Sequence, residues 1–408
     1  MLKFLLGARY VCLAVIGAGL VLGAGGGYLD WGGDALANYQ LLSIGLKALG
    51  SGVAALFFVE FAAAAIQRRL SGYIASVFVL LLTTAIGAVV LDVTAGALGL
   101  DRSPFDKSFG EKIKRHQVPY LAFKGRPSAP EFEHNELGYR GSAPAMDKRN
   151  EYRVLVFGGS TVWNGEPTIP AMLQTLAQAD GHSRVRVYNF GVVSSVSRQD
   201  VARAVLEGLL FEPDLILMYN GGNDLTSPFW FDPRPGYPYD YFMREANPFL
   251  GEASGTGNLL RSLMANSTIG RLLLRNENVA AIAFGLYDLR LEVGFKSADW
   301  RDRIARTYLD GQRYLQDLAR RMDIRAITVF QPIRAYGPGT RYPEIETVRE
   351  HLLDLQTREF AELNFIDLSL MLTENGDRSA FTDIIHVTQE TRAEIADAIY
   401  RQISPELP

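Results

Sequence analysis

The chain has 408 residues, 48% of them hydrophobic and only 21% charged, with a mean hydropathy of +0.03, and this excludes a disordered or highly solvated polypeptide. Lys and Arg number 41 against 45 Asp and Glu, and no basic block stands ready to neutralise phosphates, so nucleic acid is not an expected partner. The single cysteine, Cys12, excludes an internal disulfide and any cysteine-cluster metal site.

The length exceeds one ordinary domain, and the composition changes along it. The first hundred residues hold only five basic residues (Lys3, Arg9, Lys47, Arg68, Arg69) and four acids (Asp30, Asp34, Glu60, Asp92). Apolar stretches run from Tyr10 to Leu29, from about Leu41 to Ile66 and from about Tyr73 to Leu98. A bilayer core needs about 20 apolar residues as helix, and each stretch meets that length, so residues 1–100 are expected to be a three-helix transmembrane anchor. A cleaved signal peptide is disfavoured for the first, whose apolar core is too long and which two further spans follow. Lys3 and Arg9 precede the first span, Arg68 and Arg69 lie between the second and third, and the intervening turn around Asp30 and Asp34 has no basic residue. The positive-inside rule then puts the N-terminus in the cytoplasm and everything after the third span outside it. In a bacterium this is a multi-pass inner-membrane protein with a periplasmic or extracellular body. Charges inside spans need partners, and the matched depths suggest the pairs Lys47–Asp92 and Arg9–Glu60.

Residues 101–150 turn polar and proline-bearing (Pro104, Pro119, Pro127, Pro130, Pro144) and read as an extracytoplasmic linker with a small leading element, Asn135-Glu136-Leu137-Gly138-Tyr139-Arg140-Gly141. From 151 to 408 strands alternate with helices. Strands are expected at Val154–Phe157, Val185–Phe190, Leu215–Tyr219, Ala326–Phe330 and Asn364–Asp367. Helices are expected at about Thr168–Ala179, Arg198–Leu209, Trp300–Met322, Glu344–Glu362 and Gln389–Ile403. The alternation predicts an α/β fold, a parallel sheet covered by helices on both faces. An insertion at about 225–299 breaks the rhythm and opens with an aromatic and proline-rich run from Pro228 to Phe242, suited to a lid, a sugar-stacking platform or a self-packed flap.

Ligands of such folds bind beyond the C-terminal strand ends, where the polar motifs of this chain fall. Ser160, in Gly158-Gly159-Ser160-Thr161, follows the first strand at a tight turn that lets a hydroxyl stand clear of the sheet, although the same motif suits a helix cap or an anion-binding loop. Asp383-Ile384-Ile385-His386 precedes the last helix with a spacing that lets the carboxylate orient the imidazole and leave its other nitrogen for Ser160. Gly191 ends the second strand and offers a closely approachable N–H. Asn223, in Gly221-Gly222-Asn223-Asp224, offers a side-chain amide after the third.

These residues resemble the four blocks of the SGNH hydrolases, the GDSL esterase/lipase superfamily, over roughly Arg153 to Pro405. The resemblance implies a flavodoxin-like three-layer α/β/α sandwich. It also implies Ser160 as nucleophile, Asp383 and His386 as the rest of a triad, and Ser160, Gly191 and Asn223 as an oxyanion hole. Gly159 stands where the family's first block usually has Asp, a departure that bears on subfamily. The Gly-x-Ser-x-Gly elbow of α/β-hydrolases fails at Val162, no phosphate-binding Gly-Lys-Ser/Thr follows the glycines, and no His-Glu-x-x-His motif occurs, so neither metal nor cofactor is expected. The expected activity is a membrane-anchored serine esterase acting on an acyl ester, an O-acetyl group on a cell-surface or exported polysaccharide, with lipid esters also open. The alternatives are a polysaccharide O-acyltransferase using the same triad and a membrane partner of the envelope glycan system as acyl donor, or a non-catalytic envelope scaffold.

Overall fold

A computed structural model describes residues 2–27, 35–67, 72–98, 118, 120–239, 241, 267–270, 286–337, 342–372 and 380–408. The turns carrying Asp30, Asp34, Arg68 and Arg69, the start of the linker, and most of 240–285 lie outside the described residues, as do the side chains of Lys3 and Lys47. The chain divides into two units, Met1–Asp101 with Leu263–Leu273, and Arg102–Ser262 with Leu274–Pro408.

In the first unit each apolar stretch is a helix: α1 (Leu2–Gly27), α2 (Ala35–Gln67) and α3 (Gly72–Ala97). Among the described residues one stretch, Ser76–Ala97, is long and apolar enough to cross a membrane by itself, while Gly7–Leu22 and Ala48–Glu60 are shorter apolar segments. Helices α1 and α2 approach closely where small residues permit, since a Cβ on Gly19 would lie 2.5 Å from the Leu49 nitrogen. Arg9 Nε meets Glu60 Oε1 at 2.6 Å, joining α1 to α2. Asp92 Oδ1 accepts the Ile269 amide at 2.7 Å, a backbone donor remote in sequence that no span-depth argument could find, while the expected pair with Lys47 lies outside the described residues.

The second unit is built on five parallel strands: β1 (Tyr152–Gly158), β2 (Val185–Gly191), β3 (Leu215–Asn220), β4 (Arg325–Phe330) and β5 (Phe365–Asp367), in the order β2-β1-β3-β4-β5. This is the doubly wound, flavodoxin-like order, with its switch point between β1 and β3. Every residue of β3 is buried, as a parallel strand covered on both faces must be. Alternate residues serve opposite layers. Val154, Val156, Leu215, Leu217, Ile327 and Val329 face Leu173 and Ala177 of α5 (Ile169–Ala179) and Ile395 and Ile399 of the C-terminal helix α11 (Gln389–Ile403). Leu155, Phe157, Ile216 and Met218 face Ala204 of α6 (Ser197–Leu206) and Leu315 and Ala319 of the long helix α9 (Ala298–Arg321). Full burial of each such aliphatic side chain is worth about 1.5–3 kcal/mol, so both layers hold the sheet. Beyond β4, Trp300 and Tyr308 of α9, Val348 and Leu352 of α10 (Pro343–Glu359) and Phe330 form a third apolar cluster.

Hydroxyl caps start three of these helices: Ala171 N–H donates to Thr168 Oγ1 (3.3 Å), Trp300 N–H to Ser297 Oγ (3.1 Å) and Thr391 N–H to Thr388 Oγ1 (3.4 Å). The leading element joins this body, because Phe123 and Tyr139 are fully buried and the Tyr139 ring lies 4.4 Å from that of Phe190. The start of the expected insertion is also helical. Helix α7 (Gly222–Trp230) carries Leu225 through Trp230, with Pro228 inside it, and α8 (Leu286–Glu292) precedes α9.

Candidate active site

The C-terminal ends of β1, β2 and β3 stand in register, with Gly158 beside both Gly191 and Tyr219. Ser160 opens α4 (Ser160–Trp163), a single turn that follows β1 with only Gly159 between. The two glycines before it are sterically required: a Cβ on Gly158 would lie 2.1 Å from the Tyr219 carbonyl, and one on Gly159 would lie 2.8 Å from Asn223 Nδ2. Ser160 is 5% exposed.

His386 arrives from the other end of the chain. Its Nε2 lies 2.7 Å from Ser160 Oγ, and its Nδ1 lies 2.6 Å from Asp383 Oδ2. The carrying turn is closed by Thr382 N–H to the His386 carbonyl (2.9 Å) and Thr388 N–H to the Ala380 carbonyl (2.9 Å), and Arg334 N–H reaches the Ile384 carbonyl (3.0 Å). Asp383 does two jobs. Its Oδ1 accepts the amides of Ile385 and His386, both at 2.7 Å, which shapes the turn, and its Oδ2 takes the imidazole. Burial alone would raise this carboxyl; the hydrogen bonds from the His386 ring and from the His386 and Ile385 amides outweigh it and bring the pKa down to about 2. An ionised Asp383 requires the proton on Nδ1 and leaves Nε2 as the acceptor for the Ser160 hydroxyl. A His–Asp contact is not by itself diagnostic, since His351 Nε2 also meets Asp302 Oδ1 at 2.9 Å, between α9 and α10 and with no serine in the sequence motif around it.

Asn223 sits in the first turn of α7, reached through Gly221 at φ 102°, where a Cβ would lie 2.4 Å from the Phe330 ring. Its Nδ2 donates to the Ser195 carbonyl (2.7 Å), and its Oδ1 accepts the Tyr239 hydroxyl (3.0 Å). A carboxamide carries two N–H donors, so one remains for a ligand beside Ser160. The Ser160 N–H, first in its helix, has no acceptor within that helix.

The Gly191 N–H, expected as an oxyanion donor, already has a partner within the protein. It donates to Asn189 Oδ1 at 2.8 Å, while Asn189 Nδ2 donates to the Val162 carbonyl at 3.0 Å. A Cβ on Gly191 would lie 2.6 Å from the Trp163 nitrogen and 2.9 Å from Val162 Cβ. The glycine is there so that α4 can press against the end of β2, and its amide is committed to that clamp. The following turn takes the left-handed conformation at Ser194 (φ 62°) and presents the Ser195 carbonyl to Asn223.

Beneath this turn lies a buried polar network. Asp200 Oδ1 accepts from Arg203 Nη2 and from Ser195 Oγ, both at 2.5 Å, and Asp200 Oδ2 accepts from Asn220 Nδ2 at 2.9 Å. Arg203 also reaches the carbonyls of Gly158 (3.3 Å) and Phe190 (3.4 Å), so one ion pair ties the ends of three strands to the Ser195 turn. Asp224 is buried beside it and accepts from Ser197 N–H (3.0 Å) and Ser197 Oγ (2.5 Å); burial dominates and raises its carboxyl to about 7. Asn189, Ser195, Asp200, Arg203 and Tyr239 were not foreseen from the sequence. The one readable signal is the spacing of three between Asp200 and Arg203, which ordinarily marks a solvent-facing helical pair.

The five residues expected at the site are thus divided. Ser160, His386, Asp383 and Asn223 come together, and Gly191 supports them from behind. Among the described residues no group of three or more His, Cys, Asp or Glu is gathered as a set of metal ligands.

No protein-family model matches the chain, and no curated protein does. Solved structures similar to it include a GDSL-like lipase from Bacteroides thetaiotaomicron VPI-5482 (12% identity, 64% of this chain and 93% of that chain covered, TM-score 0.36). The lipase/acylhydrolase from Enterococcus faecalis is similar at 15% identity, covering 63% of this chain and 97% of its own, with a TM-score of 0.36. A catalytic mutant of an acetylxylan esterase from Geobacillus stearothermophilus is similar at 15% identity, with 62% and 94% covered and a TM-score of 0.38.

Proposed function

We propose that residues 151–408 are an SGNH-type serine esterase that works through an acyl-enzyme. The observation that carries the reading is the relay Asp383 Oδ2–His386 Nδ1 (2.6 Å) and His386 Nε2–Ser160 Oγ (2.7 Å) at the switch-point end of the sheet. His386 Nε2 takes the hydroxyl proton as Ser160 Oγ attacks the ester carbonyl. The developing oxyanion lies between the Ser160 N–H and the uncommitted N–H of Asn223. Collapse of the tetrahedral adduct expels the alcohol, which receives its proton from His386. Water, deprotonated by the same nitrogen, then releases the acid and restores Ser160.

The test is active-site labelling of the full chain in detergent. A fluorophosphonate is expected to modify the wild type and not Ser160→Ala, and the wild type is expected to hydrolyse p-nitrophenyl acetate. Equal labelling of both proteins would overturn the reading, as would a wild type that neither labels nor turns over.

The body is proposed to stand outside the cytoplasmic membrane on a three-helix anchor, residues 1–100, and to remove O-acetyl groups from a cell-surface or exported polysaccharide. The anchor is supported by the exposed apolar face of α3, where Leu80, Leu81, Leu91 and Val93 are each more than 60% exposed, and by the basic residues Lys3 and Arg9 in the first turns of α1 and Arg68 and Arg69 just after α2. Alkaline carbonate should leave the full chain in the membrane pellet, and protease added to spheroplasts should reach the body. Release by carbonate, or protection of the body, would remove this part of the reading. Supplying an acetyl ester with and without an oligosaccharide separates hydrolysis, which yields acetate alone, from transfer, which yields acetylated sugar.

A further inference from the structure

Asn223 is held from two sides. On one, its Nδ2 donates to the Ser195 carbonyl, which can only accept, so the amide nitrogen must face Ser195 and its oxygen must face away. On the other, that oxygen receives the Tyr239 hydroxyl at 3.0 Å. With the oxygen and one N–H both assigned, the second N–H has one direction left. Inversion of the carboxamide, which would aim an oxygen at an oxyanion, would set that oxygen against the Ser195 carbonyl and remove the acceptor that the Tyr239 hydroxyl now uses.

Tyr239 reaches this position by an anchored path. After α7 ends at Trp230 the chain doubles back. Asp232, fully buried, accepts from Arg234 N–H (3.1 Å) and from Arg234 Nε (2.8 Å) and Nη2 (2.6 Å). The Pro233 carbonyl accepts from Nε1 of the fully buried Trp300 at 2.7 Å. Gly236, at φ 75°, passes where a Cβ would lie 2.6 Å from Arg198 Cδ and 2.8 Å from Thr307 Cγ2. Phe231 then stacks against the Tyr239 ring at 4.3 Å. This strap belongs to the chain's insertion, and it delivers a donor to the back of a group in the reaction centre.

We propose that Tyr239 is a positioning residue for the esterase site: it holds the Asn223 carboxamide in the orientation that stabilises the oxyanion and, by donating to its oxygen, sharpens the remaining N–H as a donor. Hydrogen bonds in series polarise one another, each strengthening the next by about 10–30%, so the hydroxyl adds to the donor strength as well as to its aim. The inference rests on the esterase reading and adds to it a dependence of transition-state stabilisation on the strap.

The experiment is a double-mutant cycle with Tyr239→Phe and Asn223→Ala on the full chain, using p-nitrophenyl acetate. Tyr239→Phe keeps the ring that stacks on Phe231 and removes the hydroxyl alone. It is expected to lower kcat about 5- to 30-fold, a fraction of the loss expected for a whole oxyanion donor, with KM changed less than about twofold and Tm lowered slightly, because the Asn223 oxygen loses its donor. In the Asn223→Ala background the same substitution should have no effect on kcat, because it acts only through that amide. A Tyr239→Phe enzyme with wild-type kcat, or losses that multiply in the double variant, would overturn the inference while leaving the esterase reading intact. A wild type without turnover or fluorophosphonate labelling would end both.

Discussion

The Gly191 N–H donates to Asn189 Oδ1 at 2.8 Å, and that bond makes Gly191 a support of the helix that Ser160 opens. Asn189 bridges from this amide to the Val162 carbonyl, so a two-residue clamp fixes the turn that begins with Ser160. Gly191→Ala places a methyl 2.6 Å from the Trp163 nitrogen, and the backbone of α4 has to move. The expected cost is about 1–3 kcal/mol of stability, with activity falling because Ser160 moves too. Asn189→Ala leaves a buried donor and acceptor unpaired and should cost a similar ~1–3 kcal/mol. Urea unfolding of the two variants checks this, and a Gly191→Ala protein with wild-type stability would contradict the clamp.

Asn223→Ala removes a donor without touching the relay. The expected loss is about 10²–10³ in kcat with KM little altered, the signature of an interaction made in the transition state. Fluorophosphonate should still label Ser160, more slowly. Steady-state kinetics decide it: a rise in KM at unchanged kcat would make Asn223 a ground-state binding group.

How much of this was legible is best judged residue by residue. The strand Leu215–Asn220 announced itself because a parallel strand buried on both faces is a continuous apolar run. Ser160, Asn223, Asp383 and His386 were legible because each follows such a run or precedes a helix, and the doubly wound topology collects strand ends. The contacts of Gly191 with Asn189 and with the turn at Trp163 are not legible, for a physical reason. A glycine at a strand end satisfies either a ligand's approach or a neighbouring helix's, and only the position of Trp163 tells the two apart. Asp200 and Arg203 carry the pattern of an exposed helical pair and are fully buried, because the demand for them comes from the Gly158 and Phe190 carbonyls on other strands. Tyr239 and the Ile269 amide on Asp92 were invisible for the same reason: contacts across many residues leave no trace in local periodicity.

Asp383 holds its turn as an anion. Its pKa of about 2 lies below that of an unfolded-chain carboxylate, near 3.9, so the native state releases this proton more readily than the unfolded one. The stabilisation it gives is therefore fully present above about pH 4 and is lost as pH falls through about 2. Asp383→Asn keeps an oxygen for the Ile385 and His386 amides but removes the charge that fixes the imidazole tautomer. Its kcat should fall roughly 10²- to 10⁴-fold while the fold survives at neutral pH. Between pH 4 and 2 the variant should lose stability less steeply than the wild type in thermal scans, and parallel curves would show that the carboxylate is not held down.

Asp224 should have the opposite pH signature. Burial pushes its carboxyl to about 7, with nearby Asp200 adding to the rise, against the hydrogen bonds from Ser197 that favour the anion. Between about pH 4 and 7 the native state therefore keeps a proton that the unfolded chain has already released, and stability falls as pH rises through that window. Above it both states are ionised and the slope from this group vanishes. Asp224→Asn preserves an acceptor for the Ser197 amide and hydroxyl but cannot ionise. Relative to the wild type it should gain stability as pH rises, so the difference in Tm, variant minus wild type, should be more positive at pH 8 than at pH 5. Asp224 follows Asn223 and grips the N-terminus of α6 just past the Ser195 turn. A Tm difference that does not move between pH 5 and 8 would mean that Asp224 is ionised throughout, with the Ser197 donors strong enough to offset its burial.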